Sequence, residues 1–227
     1  MKTQYYGFEI KDIMKQFVSA FNSIVIDRYN KNRVVQEKIQ ANFVYAPKER
    51  VIHDLVNKNQ HLKLPVVAVS MNSVTRDNER VFNKIPGFYV SRAPTISAGA
   101  TTTNFFPSPI PVNIGVTMDI LTRFQTDMDQ IISNFVPYNN PYIIISWKLP
   151  SSQNLSENLE IRSEVLWDGN ISLSYPEKLS GVEPYRVSAT TNFTIKGWLF
   201  KKNTDSTVAN IFTIDQKFVP VSGFEYE

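Results

Sequence analysis

Residues 107–141, PSPIPVNIGVTMDILTRFQTDMDQIISNFVPYNNP, change hydrophobic period halfway along, and that change constrains the fold more than any other feature of the chain. Ile110, Val112, Ile114, Val116, Met118 and Ile120 alternate with Pro111, Asn113, Gly115, Thr117 and Asp119. So regular an alternation predicts a strand with one buried face. Pro111 stands near its start, where a lost N–H donor is tolerated. From Phe124 the period becomes helical: Phe124, Met128, Ile131, Ile132, Phe135 and Val136 share one face. Thr122 and Gln125 have capping-box spacing, Asp127 and Asp129 suit a helix N-terminus, and Pro137 is expected to end the helix. A strand running into an amphipathic helix that folds back on its sheet is architecture; neither half carries an evident catalytic group.

The flanking sequence fits the same plan. Phe8, Ile13, Met14, Phe17, Val18 and Phe21 predict an amphipathic helix over 8–22, and Ile24 and Ile26 a strand reaching Tyr29. After the turn at 30–32, Ile39, Ala41, Phe43 and Tyr45 read as one half-buried strand, the hairpin partner of the previous one. Pro47 opens a short helix ending near Lys58. Residues 64–75 read as a central strand, 76–79 as a turn, and 142–148 as a buried strand. Residues 161–167 suggest a strand, 168–184 irregular chain, 185–200 a long alternating strand, and 206–219 one more. The expected class is α+β: a mixed, largely antiparallel sheet, two to three amphipathic helices packed on it, and one long extended loop or arm, within a single domain over 1–227.

The arm is residues 85–108, IPGFYVSRAPTISAGATTTNFFPS, with three prolines and two glycines. A connection this long inside one domain is uncommon and usually functional. An extended arm and an irregular hairpin both fit its composition. Phe88, Tyr89, Arg92, Phe105 and Phe106 are the candidate interface residues, because aromatic and arginine side chains anchor many protein interfaces. The alternative is that the rings pin the loop to its own core.

Composition excludes several chemistries. With no cysteine there is no disulfide, thiolate catalyst or cysteine-based zinc site. The eight glycines lie too far apart for a phosphate-cradling loop. His53 and His61 are not at metal-ligand spacing on one helix face, and no G-x-S-x-G elbow occurs. Asp119, on the polar face of a strand, and Asp127 and Asp129, in a first helical turn, have structural readings. No catalytic, metal or cofactor-binding residue is therefore expected. MKTQYYGFEIKD has no apolar core of a secretion signal, and the aliphatic runs, such as Ile143 to Ile145, are far too short to span a bilayer. Net charge is +3, too mild to argue for nucleic acid, although Arg28, Lys31, Arg33 and Lys38 cluster. Residues 1–64 carry 11 basic and 6 acidic side chains, whereas 151–227 carry 7 basic and 10 acidic. Unlike ends of this kind suit head-to-tail pairing between copies.

YAPKE (45–49), GAT (99–101), PSPI (107–110), ILTRFQTDMDQIISNFVPY (120–138) and FTIKGWLF (193–200) together resemble the tail sheath stabilizer and completion proteins of T4-like contractile-tailed phages. The resemblance runs in the same order over roughly 40–200, and it departs from the usual acidic pattern at Thr126. It implies a tail-terminator fold and a homo-oligomeric ring, a hexamer, at the head-proximal end of the tail. The partners it implies are the tail sheath protein, the tube or its terminator, and neck proteins, with no membrane and no sequence-specific nucleic acid. It implies a virion protein assembled in the host cytoplasm, without catalysis or cofactor. A tube terminator, a baseplate or neck component and, further off, a nucleic-acid-binding protein or a hydrolase are the competing readings.

Overall fold

The alternating segment at 110–120 becomes the structural axis of the protein. The computed structural model describes residues 7–56, 63–81, 87–91, 103–149, 160–175 and 186–201. Strand β7 (Ile110–Thr122) lies inside a six-stranded sheet of order β3-β4-β7-β10-β9-β8. Its neighbours are β4 (Val66–Arg76) and β10 (Val187–Leu199), both antiparallel to it over nearly their whole length. Beyond β10 come β9 (Glu160–Ser174) and the edge strand β8 (Ile143–Lys148), again antiparallel. At the other edge β3 (Asn42–Tyr45) runs parallel to β4. The expected mixed, largely antiparallel α+β architecture is present.

Alternation puts Val112, Ile114, Val116, Met118 and Ile120 of β7 on one buried face. Helices α1 (Glu9–Phe21) and α3 (Gln125–Tyr138) cover that face with Ile13, Phe17, Phe21, Met128, Ile131 and Phe135. Phe193 of β10 is the meeting point. Its ring centroid lies 5.2 Å from Phe17, 5.4 Å from Phe21 and 5.8 Å from Phe135. The tilted and edge-on geometries are those aromatic quadrupoles favour. On the opposite face α2 (Lys48–Val56) builds a smaller core from Val51 with Val66, Ala68 and Leu121. There Asp119, on the polar face as expected, is buried under α2: Lys48 Nζ stands 3.8 Å from its carboxylate and Thr190 donates to it at 2.6 Å.

Several boundaries differ from the sequence reading, each for a local reason. The single strand expected from Val35 to Tyr45 is two. β2 (Val35–Gln40) pairs with β1 (Val25–Tyr29) in a hairpin of its own, and the chain then crosses to the main sheet as β3. The switch is at Ala41 and Asn42, whose N–H groups donate to Ile24 O and Pro65 O respectively. Alternation records which side is buried and not which neighbour supplies the hydrogen bonds, so it ran through the switch. The capping box does not form. Thr122 is the last residue of β7, its hydroxyl donates to Phe124 O, and Phe124 is the N-cap without a side-chain cap. Pro137 lies inside the last turn of α3, which closes one residue later at Tyr138.

The irregular chain expected from 168 is strand as far as Ser174. A bulge at Gly169, φ +76°, absorbs the extra residues opposite Asn192. Glycine takes such a φ without steric penalty, which lets the ladder resume. Trp167 Nε1 donates to Thr191 Oγ1 at 2.7 Å, and Thr191 in turn to Asn170 O at 2.8 Å, so the bulge is hydrogen-bonded internally. The strand expected at 206–219 lies outside the described residues.

Candidate assembly surfaces

The arm leaves the body at one end of the sheet, where β4 ends, β7 begins and β10 ends. Register puts Arg76 opposite Val112 and Val112 opposite Gly197 at that end. Within it the arm contains a two-stranded antiparallel ribbon, β5 (Gly87–Ser91) with β6 (Thr103–Pro107), hydrogen-bonded to no strand of the main sheet. The register sets Gly87 opposite Pro107, Phe88 opposite Phe106 and Tyr89 opposite Phe105. Four of the five interface candidates thus occupy two successive rungs of one ladder, the paired residues 16 and 18 positions apart in sequence yet adjacent in the fold. Arg92 lies outside the described residues. Pro107 is buried and leads through residues 108–109 straight into β7.

A cluster that the sequence did not reveal braces this end of the sheet, where β7 begins just after the ribbon. Asp77 follows β4 directly and is buried. One carboxylate oxygen accepts the backbone N–H groups of Glu79 and Arg80, and the other takes Arg80 Nε at 2.8 Å and Lys196 Nζ at 3.3 Å. Arg80 Nη2 then donates to Val112 O at 2.7 Å and to Gly197 O at 3.4 Å, and its guanidinium lies 5.0 Å from the Trp198 ring. The fork of an arginine serves this role and an ammonium would not, because it reaches a carboxylate and two carbonyls at once. The Arg80 guanidinium holds the Asp77 carboxyl well below the usual carboxylate range; burial opposes it, and Lys196 and the two backbone donors add to the lowering. One side chain thus ties the end of β4 to β7 and β10. RDNE read only as a turn, and nothing in the sequence pointed from Asp77 to Lys196, 119 positions on.

A second surface is the β1–β2 hairpin. Gln130 on α3 clamps it: the side-chain carbonyl accepts Asp27 N–H at 3.0 Å and the amide donates to Asp27 O at 2.9 Å. The side chain thus replaces a neighbouring strand on the outer edge of β1. The basic segment that suggested nucleic acid lies here, and two of its four cations, Arg28 and Lys38, face carboxylates. Arg28 stands 3.6 Å from Glu37 and 3.9 Å from Asp127, and Lys38 stands 4.0 Å from Asp27. Burial pushes the Asp127 carboxyl above its ordinary value, with Arg28 opposing. A third surface is a groove between α1 and the edge strand β3, of about 590 Å³.

The carboxylates considered for chemistry stay apart. Asp119 lies beneath α2 and Asp127 beside Arg28, while Asp129 is exposed. His53 is exposed on α2, 3.6 Å from Asp54. Among the described residues no group of three His, Asp or Glu side chains could hold a metal, and no helix is long and apolar enough to cross a membrane. Among the described residues the surfaces left to consider are a two-stranded ribbon separate from the main sheet, a hairpin and a groove.

A profile describing the T4-like virus Myoviridae tail sheath stabiliser matches residues 4–222. The chain belongs to that family. Membership makes it a structural component of a phage tail, with its place in the virion at the neck. No curated protein matches the chain. Among solved structures, the sheath/tube terminator of an extracellular contractile injection system, PVC, in its extended state is similar at 13% identity and a TM-score of 0.41, covering 98% of this chain and 67% of that one.

Proposed function

We propose that the protein closes into a hexameric ring at the head-proximal end of a contractile phage tail, caps the last layer of extended sheath, and offers its outer surface to neck proteins. Its work is contact rather than catalysis. The observation that carries this reading is the β5–β6 ribbon. It is separate from the main sheet, it bears Phe88, Tyr89, Phe105 and Phe106 on two adjoining rungs, and the Asp77–Arg80–Lys196 cluster braces the end of the sheet where β7 begins just after it. An arm with a rigid base meets its partner in a preset direction and loses little conformational entropy when it docks. Membership of the sheath-stabiliser family supports the sheath as the partner, and we assign the ribbon, together with Arg92, to the contact with the sheath or the neighbouring subunit.

Deleting residues 90–104 tests this. The subunit is expected to keep the circular dichroism and thermal midpoint of the full chain, while rings and capped sheaths disappear from electron micrographs. Capped sheaths formed by the deletion variant would refute the assignment. Co-assembly with purified sheath and, separately, with purified tube decides which is capped; binding to tube alone would make the protein a tube terminator instead.

A further inference from the structure

The groove between α1 and β3 has a composition that selects its occupant. Met14, Val18, Phe43 and Tyr45 give it apolar walls, and Lys11 and Lys15 line it one helical turn apart. Among the described residues neither ammonium pairs with a carboxylate, and Lys11 lies 5.7 Å from the Phe8 ring. Among the described residues β3 is also an edge strand, so one side of its backbone meets no other described strand. An occupant suited to this groove is extended, aromatic and acidic.

Residues 218–227, FVPVSGFEYE, have that chemistry. They hold Phe218, Phe224 and Tyr226 with Glu225 and Glu227, and no lysine or arginine. We propose that the α1–β3 groove receives residues 218–227 of a second copy of this chain. Spacing supports the match. Side chains at i and i+4 of a helix stand about 5–6 Å apart, which is the separation of Lys11 and Lys15. Two residues of extended chain cover about 6.5–7 Å, which brings Glu225 and Glu227 to the same separation on one side. The alternate side then offers Phe224 and Tyr226 to Phe43 and Tyr45. That the copy is a second one rests on the ring reading and on the charge division of the chain, basic over 1–64 and acidic over 151–227. A groove on one subunit filled by the end of the next is a heterologous contact, the kind that closes rings.

The chain has no cysteine, so introduced thiols report without background. One full-length chain carries Ser19→Cys, a turn beyond Lys15 on α1; another carries Ser222→Cys. The two are mixed and treated with a short bis-maleimide. A two-chain product containing one of each is expected. K11E/K15E in the first chain should lower its yield about tenfold, since two surface ion pairs become repulsions, and E225K/E227K in the second should restore it. No mixed product, or a yield indifferent to charge reversal, overturns the proposal. So does a link that forms only inside one chain carrying both thiols, because the segment then occupies its own groove. Electron microscopy of the same samples separates this from the ring reading: a charge-dependent mixed product without rings or sheath caps would sink the ring and leave the groove assignment standing.

Discussion

Replacing Gln130 separates the hairpin clamp from ordinary helix packing. The Gln130 amide is used in both directions, accepting from Asp27 N and donating to Asp27 O, at a part-buried site. Each such bond contributes about 0.5–1.5 kcal/mol net, so Gln130→Ala should cost about 1–3 kcal/mol. Gln130→Glu keeps the shape and the acceptor but loses the donor. It sets a carboxylate against the Asp27 carbonyl, in a pocket lined by two carboxylates, Asp27 and Asp127, and one cation, Arg28. Glutamate should therefore destabilise more than alanine, the reverse of the order that side-chain volume predicts. The loss should be local. β1 and β2 form a sheet of their own, so the hairpin can detach while the six-stranded sheet holds. The assay is amide hydrogen exchange. Protection at Asp27 should fall roughly tenfold to a hundredfold in Gln130→Ala, as 1.4 kcal/mol is about a factor of ten, while that of Met118 and Ile195 changes far less. If glutamate proves as stable as glutamine, or if protection falls equally through β7 and β10, the clamp is not what holds the hairpin.

Three further outcomes follow from the same geometry. Phe193→Ala empties the site where Phe17, Phe21 and Phe135 converge; it should cost about 3–5 kcal/mol in urea unfolding, and a loss under about 1 kcal/mol would show that the two helices close over the gap. Arg80→Ala removes the group chiefly responsible for holding the Asp77 carboxyl low. The native cluster stabilises fully above the ordinary aspartate range and loses that contribution as pH falls below it. The thermal-midpoint gap between wild type and variant should thus be widest at neutral pH and close in strong acid, and a gap independent of pH would refute the assignment. Asp127 has the opposite sign: burial raises its pKa in the fold, so ionisation costs stability as pH rises through the ordinary aspartate range. Asp127→Asn should raise the thermal midpoint at pH 7, with the gain fading toward acid; a lower midpoint at pH 7 would mean that the Arg28 contact outweighs burial.

How far the sequence carried the fold depended on whether a neighbour was local. The change of period at 110–136 placed β7 and α3 within two residues of their observed ends, because burial on one side of a strand or helix leaves a periodic trace. The same trace ran unbroken through Ala41, where the chain leaves one sheet for another, and stopped at Trp167, just before the bulge at Gly169 through which the strand continues. Phe88, Tyr89, Phe105 and Phe106 stood out by composition as interface candidates. That they form two rungs of one ribbon was not legible, since cross-strand register is set by hydrogen bonds between residues distant in sequence.

By itself the sequence determined the α+β class, the core residues of α1, β7, α3 and β10, the absence of cysteine chemistry and of glycine-rich phosphate loops, and a family resemblance that the comparison bears out. These are properties of composition and local period, carried by each segment alone. Only the tertiary structure decided that β3 joins β4 in parallel, that Gln130 takes the place of a strand beside Asp27, and that Asp77, Arg80 and Lys196 meet at the end of the sheet where β7 begins. The physical reason is the same in each case. A buried polar group needs a partner, and the partner nearest in space stands here as far as 119 residues away along the chain.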